Sequence, residues 1–177
     1  MRSKPMPTVH PCGLPAGALL GQYAGPGGYA DCYVVEVPQT VSHAQFVEAF
    51  YTTAVFKVER FILGAVVFRP STDAEVGQLA RGEISAFAAW TVEGRAENQL
   101  LLCDFAGRTR SWLMVAPAGS AGTAGTRLYF GSAVVPAQTN GTGRDDLGWV
   151  FRALLGFHKL YSRVLLRAAV ARLSRKV

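Results

Sequence analysis

Acid, cysteine and histidine are all scarce in this chain of 177 residues, which has 12 Asp plus Glu against 18 Lys plus Arg, three Cys and three His. Cys12, Cys32 and Cys103 are odd in number and widely spaced, with no Cys-x-x-Cys and no His at ligand spacing. They offer no metal site and read as free thiols in a reducing, cytoplasmic setting. No Gly-x-Ser-x-Gly, His-Glu-x-x-His or paired Cys/His constellation occurs. A phosphate-cradling loop is missing too: Gly119–Gly125 is not followed by Lys-Ser/Thr, and Gly25–Gly28 precedes a strand-like run rather than a helix. The sequence therefore points to no catalytic residue, cofactor or metal. Long uncharged hydrophobic runs are also lacking, because the apolar stretch from Phe46 to Phe68 carries Glu48, Lys57, Glu59 and Arg60, which excludes a transmembrane helix there. The N-terminus is interrupted by prolines and its apolar run, Ala16 to Leu20, is too short for a signal peptide, so Asn140-Gly141-Thr142 reads as a loop tripeptide.

What charge there is sits unevenly. Residues 149–177 hold seven basic residues and no acid, whereas residues 1–148 hold 11 basic and 12 acidic ones. The body is near neutral, so a nucleic-acid domain with a basic face is disfavoured, and the C-terminal segment is the one electrostatic candidate for an anionic partner. Fourteen Arg against four Lys, with abundant Ala and Gly, suggests a GC-rich bacterial source.

Residues 1–28, rich in Gly and Pro, read as an irregular arm. Tyr29 to Val37 (YADCYVVEV) alternates, is rich in β-branched and aromatic residues, and ends at Pro38, which predicts a strand. Ser42 with Gln45 forms a capping box that opens a helix expected to run to Pro70, weakened or bent at Thr52-Thr53, while His43 in its first turn is expected to be solvated. Thr72 with Glu75 caps a shorter helix that stops at Gly82. From Ser85 the apolar period drops to 2, and four strands are expected at 86–94, 99–104, 108–116 and 126–136, making an antiparallel meander. Asp104-Phe105-Ala106-Gly107 suits a three-residue hairpin loop, a register that sets Arg110 opposite Leu102 and Trp112 opposite Leu100. Asp145 or Asp146 caps a long amphipathic helix from Leu147 to about Leu173, which should bury its apolar face on the sheet.

This order of strand, helix pair, antiparallel meander and long final helix, with its terminal stretch GWVFRALLGFHKLYSRVLLRAAVARL, resembles the START-like (SRPBCC, helix-grip) superfamily, in particular its small bacterial members. The resemblance covers about residues 29–173. It implies an α+β fold in which an antiparallel sheet wraps around a long C-terminal helix, here with a reduced strand number because two strands after the helix pair cannot be placed. An alternative α+β sandwich stays open. The resemblance also implies a cavity between sheet and final helix for apolar ligands such as lipids, sterols or polyketides, and it transfers no catalytic residue.

Within that frame Arg110, Trp112, Met114, Tyr129 and His158 are the candidate ligand-binding residues. Trp112 and Tyr129 are large enough to line a pocket. Met114 shares their apolar surroundings, Arg110 can pair with an anionic group, and His158, on the apolar stripe of the last helix, can orient a carbonyl or move a proton. Three functions are compatible with the sequence. One is binding of a small apolar or amphipathic ligand. Another is a cyclase-like or hydrolase-like enzyme on the same scaffold using His158. The third is an interaction protein whose basic surface (Arg152, Lys159, Arg163, Arg167) docks on an anionic membrane or acidic partner. Nucleic acid ranks below these, because the basic helix has no aromatics interleaved on its charged side.

Overall fold

A computed structural model describes residues 7–25, 29–57, 71–119, 125–135 and 148–175, the stretch 148–160 by its backbone only. Seven antiparallel strands form one sheet: β1 (His10–Pro11), β2 (Tyr29–Val37), β3 (Ala86–Phe87), β4 (Trp90–Ala96), β5 (Gln99–Asp104), β6 (Thr109–Pro117) and β7 (Thr126–Val134), in the order β1-β2-β7-β6-β5-β4-β3. Among the described residues it is accompanied by the helices α1 (His43–Tyr51), α2 (Asp73–Arg81) and α3 (Gly148–Leu173). The class is α+β, as expected, but the sheet is not reduced. The single strand expected over 86–94 divides into β3 and β4 around a turn where Ala88 has φ +53°, and the N-terminal segment adds an edge strand.

Both capping boxes form. Ser42 and Thr72 each accept from the backbone N–H three residues on, and Gln45 and Glu75 reach back. Gly82, at φ +79°, ends α2 in the left-handed cap that only glycine adopts without strain. The first helix is interrupted where weakening was expected: Thr52 and Thr53 turn their hydroxyls back onto the carbonyls of Glu48 and Phe50, so α1 stops at Tyr51 and helical backbone resumes at 54–57. The remainder of that expected helix, 58–70, lies outside the described residues, as does Asn140-Gly141-Thr142.

The sheet is covered on both faces. On one, Tyr33, Val35, Leu100, Leu102, Leu113, Leu128 and Phe130 meet α1, α2 and the last turns of α3, where Leu165, Leu166, Ala169 and Val170 are buried. The buried Thr126 hydroxyl ties α1 to this face by accepting from Val41 N–H and donating to the Gln39 carbonyl, both at 2.9 Å. On the other face Leu20, from a 3-10 turn at Leu19–Tyr23, packs with Cys32, Leu101, Trp112 and Ala133. The Gly/Pro-rich arm is thus a second covering layer, seated closely enough that Gly131 beneath it has no room for a Cβ.

The hairpin β5–β6 corrects the expected register. Cys103 pairs with Arg110, Leu101 with Trp112 and Leu100 with Leu113, so the loop contains one residue more than expected. Asp104 is the cause. Its Oδ1 accepts from both Arg108 N–H (2.7 Å) and Thr109 N–H (3.1 Å), holding Arg108 out of the ladder, with Gly107 at φ +69°. A slip of one residue exchanges the two faces of a strand relative to its neighbour.

Candidate site between the sheet and the helices

That slip decides where the sequence-predicted residues lie. Arg110, Trp112 and Met114 project from the face opposite α3 and are covered by the arm, and Tyr129, opposite Met114 on β7, lies with them. Trp112, Met114 and Tyr129 are therefore brought together under the arm and not between sheet and terminal helix, whereas Arg110, whose guanidinium lies over Tyr23 of the arm, also borders the helix-side cavity. The side chain of His158, like those of Arg152 and Lys159, lies outside the described residues. Arg110 finds its anion inside the protein. Its Nε is 2.8 Å from Glu93 Oε2, and the guanidinium lies over the Tyr23 ring at 4.6 Å. Tyr23 also donates to Glu93, and burial, followed by the Glu93 carboxylate, raises the Tyr23 hydroxyl above its ordinary pKa. The cluster clamps the arm to the sheet.

A cavity of about 240 Å³ does open on the helix side. Much of the lining is aromatic and aliphatic: Phe50 from α1, Phe56 from the helical turn after it, Phe130 from β7, and Tyr161 and Leu165 from α3. Beside Phe130 on the sheet the lining turns polar, with Thr109, Ser111 and Ser132 where β6 and β7 pair, and Asp104 and Arg110 border the cavity as well. Ser111 and Ser132 are each anchored by a further hydrogen bond. Ser111 Oγ is 2.9 Å from the hydroxyl of buried Tyr51, and Ser132 bonds Asp31 through both its hydroxyl and its N–H. Trp90 and Ala89 floor the cavity, and Phe105, 60 % exposed on the hairpin tip, stands at its mouth.

Trp90 stands out within this lining. It is 7 % exposed, yet its indole Nε1 is buried with no hydrogen-bond partner among the described residues. A buried donor left without an acceptor costs about 1–3 kcal/mol, so a group that supplies one is favoured there. Trp90 was not among the five candidate ligand-binding residues, although its size suits a pocket lining. The signal was the alternation of β4, which puts Trp90 and Val92 on the face of Leu102.

His43 also departs from expectation. It is half-buried, and burial, reinforced by the positive charge of Arg95 and opposed by a hydrogen bond with the Leu113 backbone, lowers its pKa to about 4. It packs as a neutral imidazole against β6.

Among the described residues no three His, Cys, Asp or Glu converge as a metal-binding group, and no helix is long and apolar enough to cross a membrane. No family model matches the chain, nor does any curated protein.

Proposed function

We propose that this chain is a START-like protein that binds a small apolar or amphipathic molecule in the cavity between its sheet and C-terminal helix. The observation that carries this reading is a mostly aromatic and aliphatic lining with a few anchored polar groups, floored by the Trp90 indole N–H that has no hydrogen-bond partner among the described residues. Ligand sites are commonly concave, mostly apolar, and furnished with a few fixed polar groups. Size narrows the choice. A cavity of about 150 Å³ holds benzene, and drug-sized sites begin near ~300 Å³, so 240 Å³ suits a one- or two-ring molecule or a short acyl chain rather than a whole sterol. A hydrogen-bond acceptor on the ligand, such as a carbonyl oxygen, meets the Trp90 N–H, while Ser111, backed by Tyr51, supplies a hydroxyl. Nothing in the lining marks a nucleophile with its base, so binding is favoured over the cyclase or hydrolase alternative.

Native mass spectrometry of the full chain purified from its source, followed by organic extraction, tests this reading. A co-purifying small apolar molecule is the expected result. Bare protein that also takes up no added aromatic ketone overturns it.

A second reading keeps the basic helix as a contact for an anionic membrane. Arg163, Arg167 and Arg175 are exposed, and none forms an ion pair among the described residues, although Arg163 lies over the Tyr33 ring at 5.4 Å. Salt-sensitive binding to anionic but not neutral vesicles supports it, and no binding at low salt removes it.

A further inference from the structure

Cys12 and Cys32 are 20 residues apart in sequence, but their sulfurs are 3.2 Å apart. The pairing of β1 with β2, His10 opposite Val34 and Pro11 opposite Tyr33, continues one step to set Cys12 opposite Cys32. Cys12 N–H donates to the Cys32 carbonyl at 3.0 Å, fixing the two backbones. Both thiols are free, Cys32 buried and Cys12 half-buried, at the edge of the cluster that holds the arm on the sheet. A disulfide needs its sulfurs about 2.0 Å apart and specifically placed Cβ atoms. An aligned, hydrogen-bonded strand pair already in sulfur contact requires only a small side-chain adjustment to reach that distance.

We propose that Cys12 and Cys32 form a reversible intramolecular disulfide that staples the N-terminal arm across the outer face of the sheet. The inference is independent of the ligand cavity, which lies on the other face. A hydroperoxide is the oxidant class the site suits. The Cys12 sulfur, the more accessible of the two, attacks the terminal peroxide oxygen as its thiolate. The O–O bond breaks, Cys12 becomes a sulfenic acid, and the peroxide's other oxygen leaves as water or an alcohol. The Cys32 sulfur then attacks the Cys12 sulfur, the S–S bond forms, the S–O bond breaks, and the hydroxyl leaves as water with the Cys32 proton. Two thiols have lost two electrons and the peroxide has gained them. Burial holds both thiols above their ordinary pKa, which makes the thiolate sparse and the reaction slow, as suits a staple more than a fast sensor.

Cys103 has no place in this chemistry. It lies on β5, separated from β2 by β6 and β7, a distance of roughly 14 Å at normal strand spacing.

Treating the full chain with hydrogen peroxide, then counting free thiols and mapping peptides without reductant, tests the proposal. The expected result is a fall from three free thiols to one, a linked peptide containing Cys12 and Cys32, and a rise in Tm of roughly 5–10 °C for closing a loop of this length. Dithiothreitol should reverse all three changes. Cys103→Ser should retain the link, and Cys12→Ser and Cys32→Ser should each abolish it. Circular dichroism of each variant guards against misfolding. Three surviving thiols, a link involving Cys103, or Cys12 carried on to sulfinic acid without a link overturns the proposal.

Discussion

The indole N–H of Trp112 donates to Gln99 Oε1 at 2.9 Å, and the same oxygen accepts Leu19 N–H from the arm at 2.9 Å. Gln99 Nε2 in turn donates to the Gly17 carbonyl at 3.1 Å. One buried amide thus joins β5, β6 and the arm. Gln99→Leu keeps the volume and strands both donors, so a loss of about 2–4 kcal/mol is expected, visible as a lower urea midpoint with little change in slope. A midpoint equal to wild type would show that the arm contributes no net stability through this contact.

Gly131 explains how the arm lies so close. A Cβ there would sit 2.7 Å from Leu20 Cδ2 and 2.9 Å from both the Asp31 carbonyl oxygen and Trp112 Cε3. Gly131→Ala should cost about 1–3 kcal/mol by overpacking. Adding Leu20→Ala should relieve little of it, because the Asp31 backbone stays in place. Calorimetric Tm values of the single and double variants check both statements.

Much of this architecture was legible beforehand. The capping boxes at Ser42 and Thr72, the stop at Gly82 and the change of period after Ser85 are local signals, and the structure follows them. What was not legible is tertiary. The extra loop residue at Arg108 depends on a side-chain bond from Asp104 that composition does not announce, yet it moves Arg110 and Trp112 onto the arm's face. The arm itself looked irregular because its order comes from Gln99, Leu20 and Gly131 rather than from its own periodicity. Size alone marks Trp90 as an aromatic able to line a pocket, whereas its indole N–H without an acceptor among the described residues is a tertiary feature.

Acid should expose His43. Its folded pKa, about 4, lies below the ordinary value of 6.5. Below pH ~6.5 the unfolded chain binds a proton that the folded chain refuses until about pH 4, so this group takes stability away as pH falls through that window, by up to about 3 kcal/mol, and has no effect above it. His43→Gln should flatten this part of the stability profile. Identical denaturation midpoints against pH for the variant and wild type, between pH 7 and 4, would contradict the assignment.

Filling the cavity should separate ligand uptake from folding. Ala89 is 4 % exposed and lines the floor. Ala89→Leu places three more carbons toward that space, with a Tm expected within a few degrees of wild type and co-purified or added ligand reduced at least tenfold. Uptake unchanged in a folded Ala89→Leu variant would move the ligand elsewhere on the molecule.

The most direct test of ligand binding follows the indole ¹⁵N–¹H resonance of Trp90, assigned with Trp90→Phe, while the full chain is titrated with 1-indanone and, separately, with indane. The two differ by one carbonyl. Binding in this cavity predicts that 1-indanone shifts the Trp90 resonance downfield, and that indane binds at the same residues about 5- to 10-fold more weakly, the worth of one hydrogen bond to a buried donor. A Trp90 resonance unmoved by either compound at millimolar concentration would contradict the central claim.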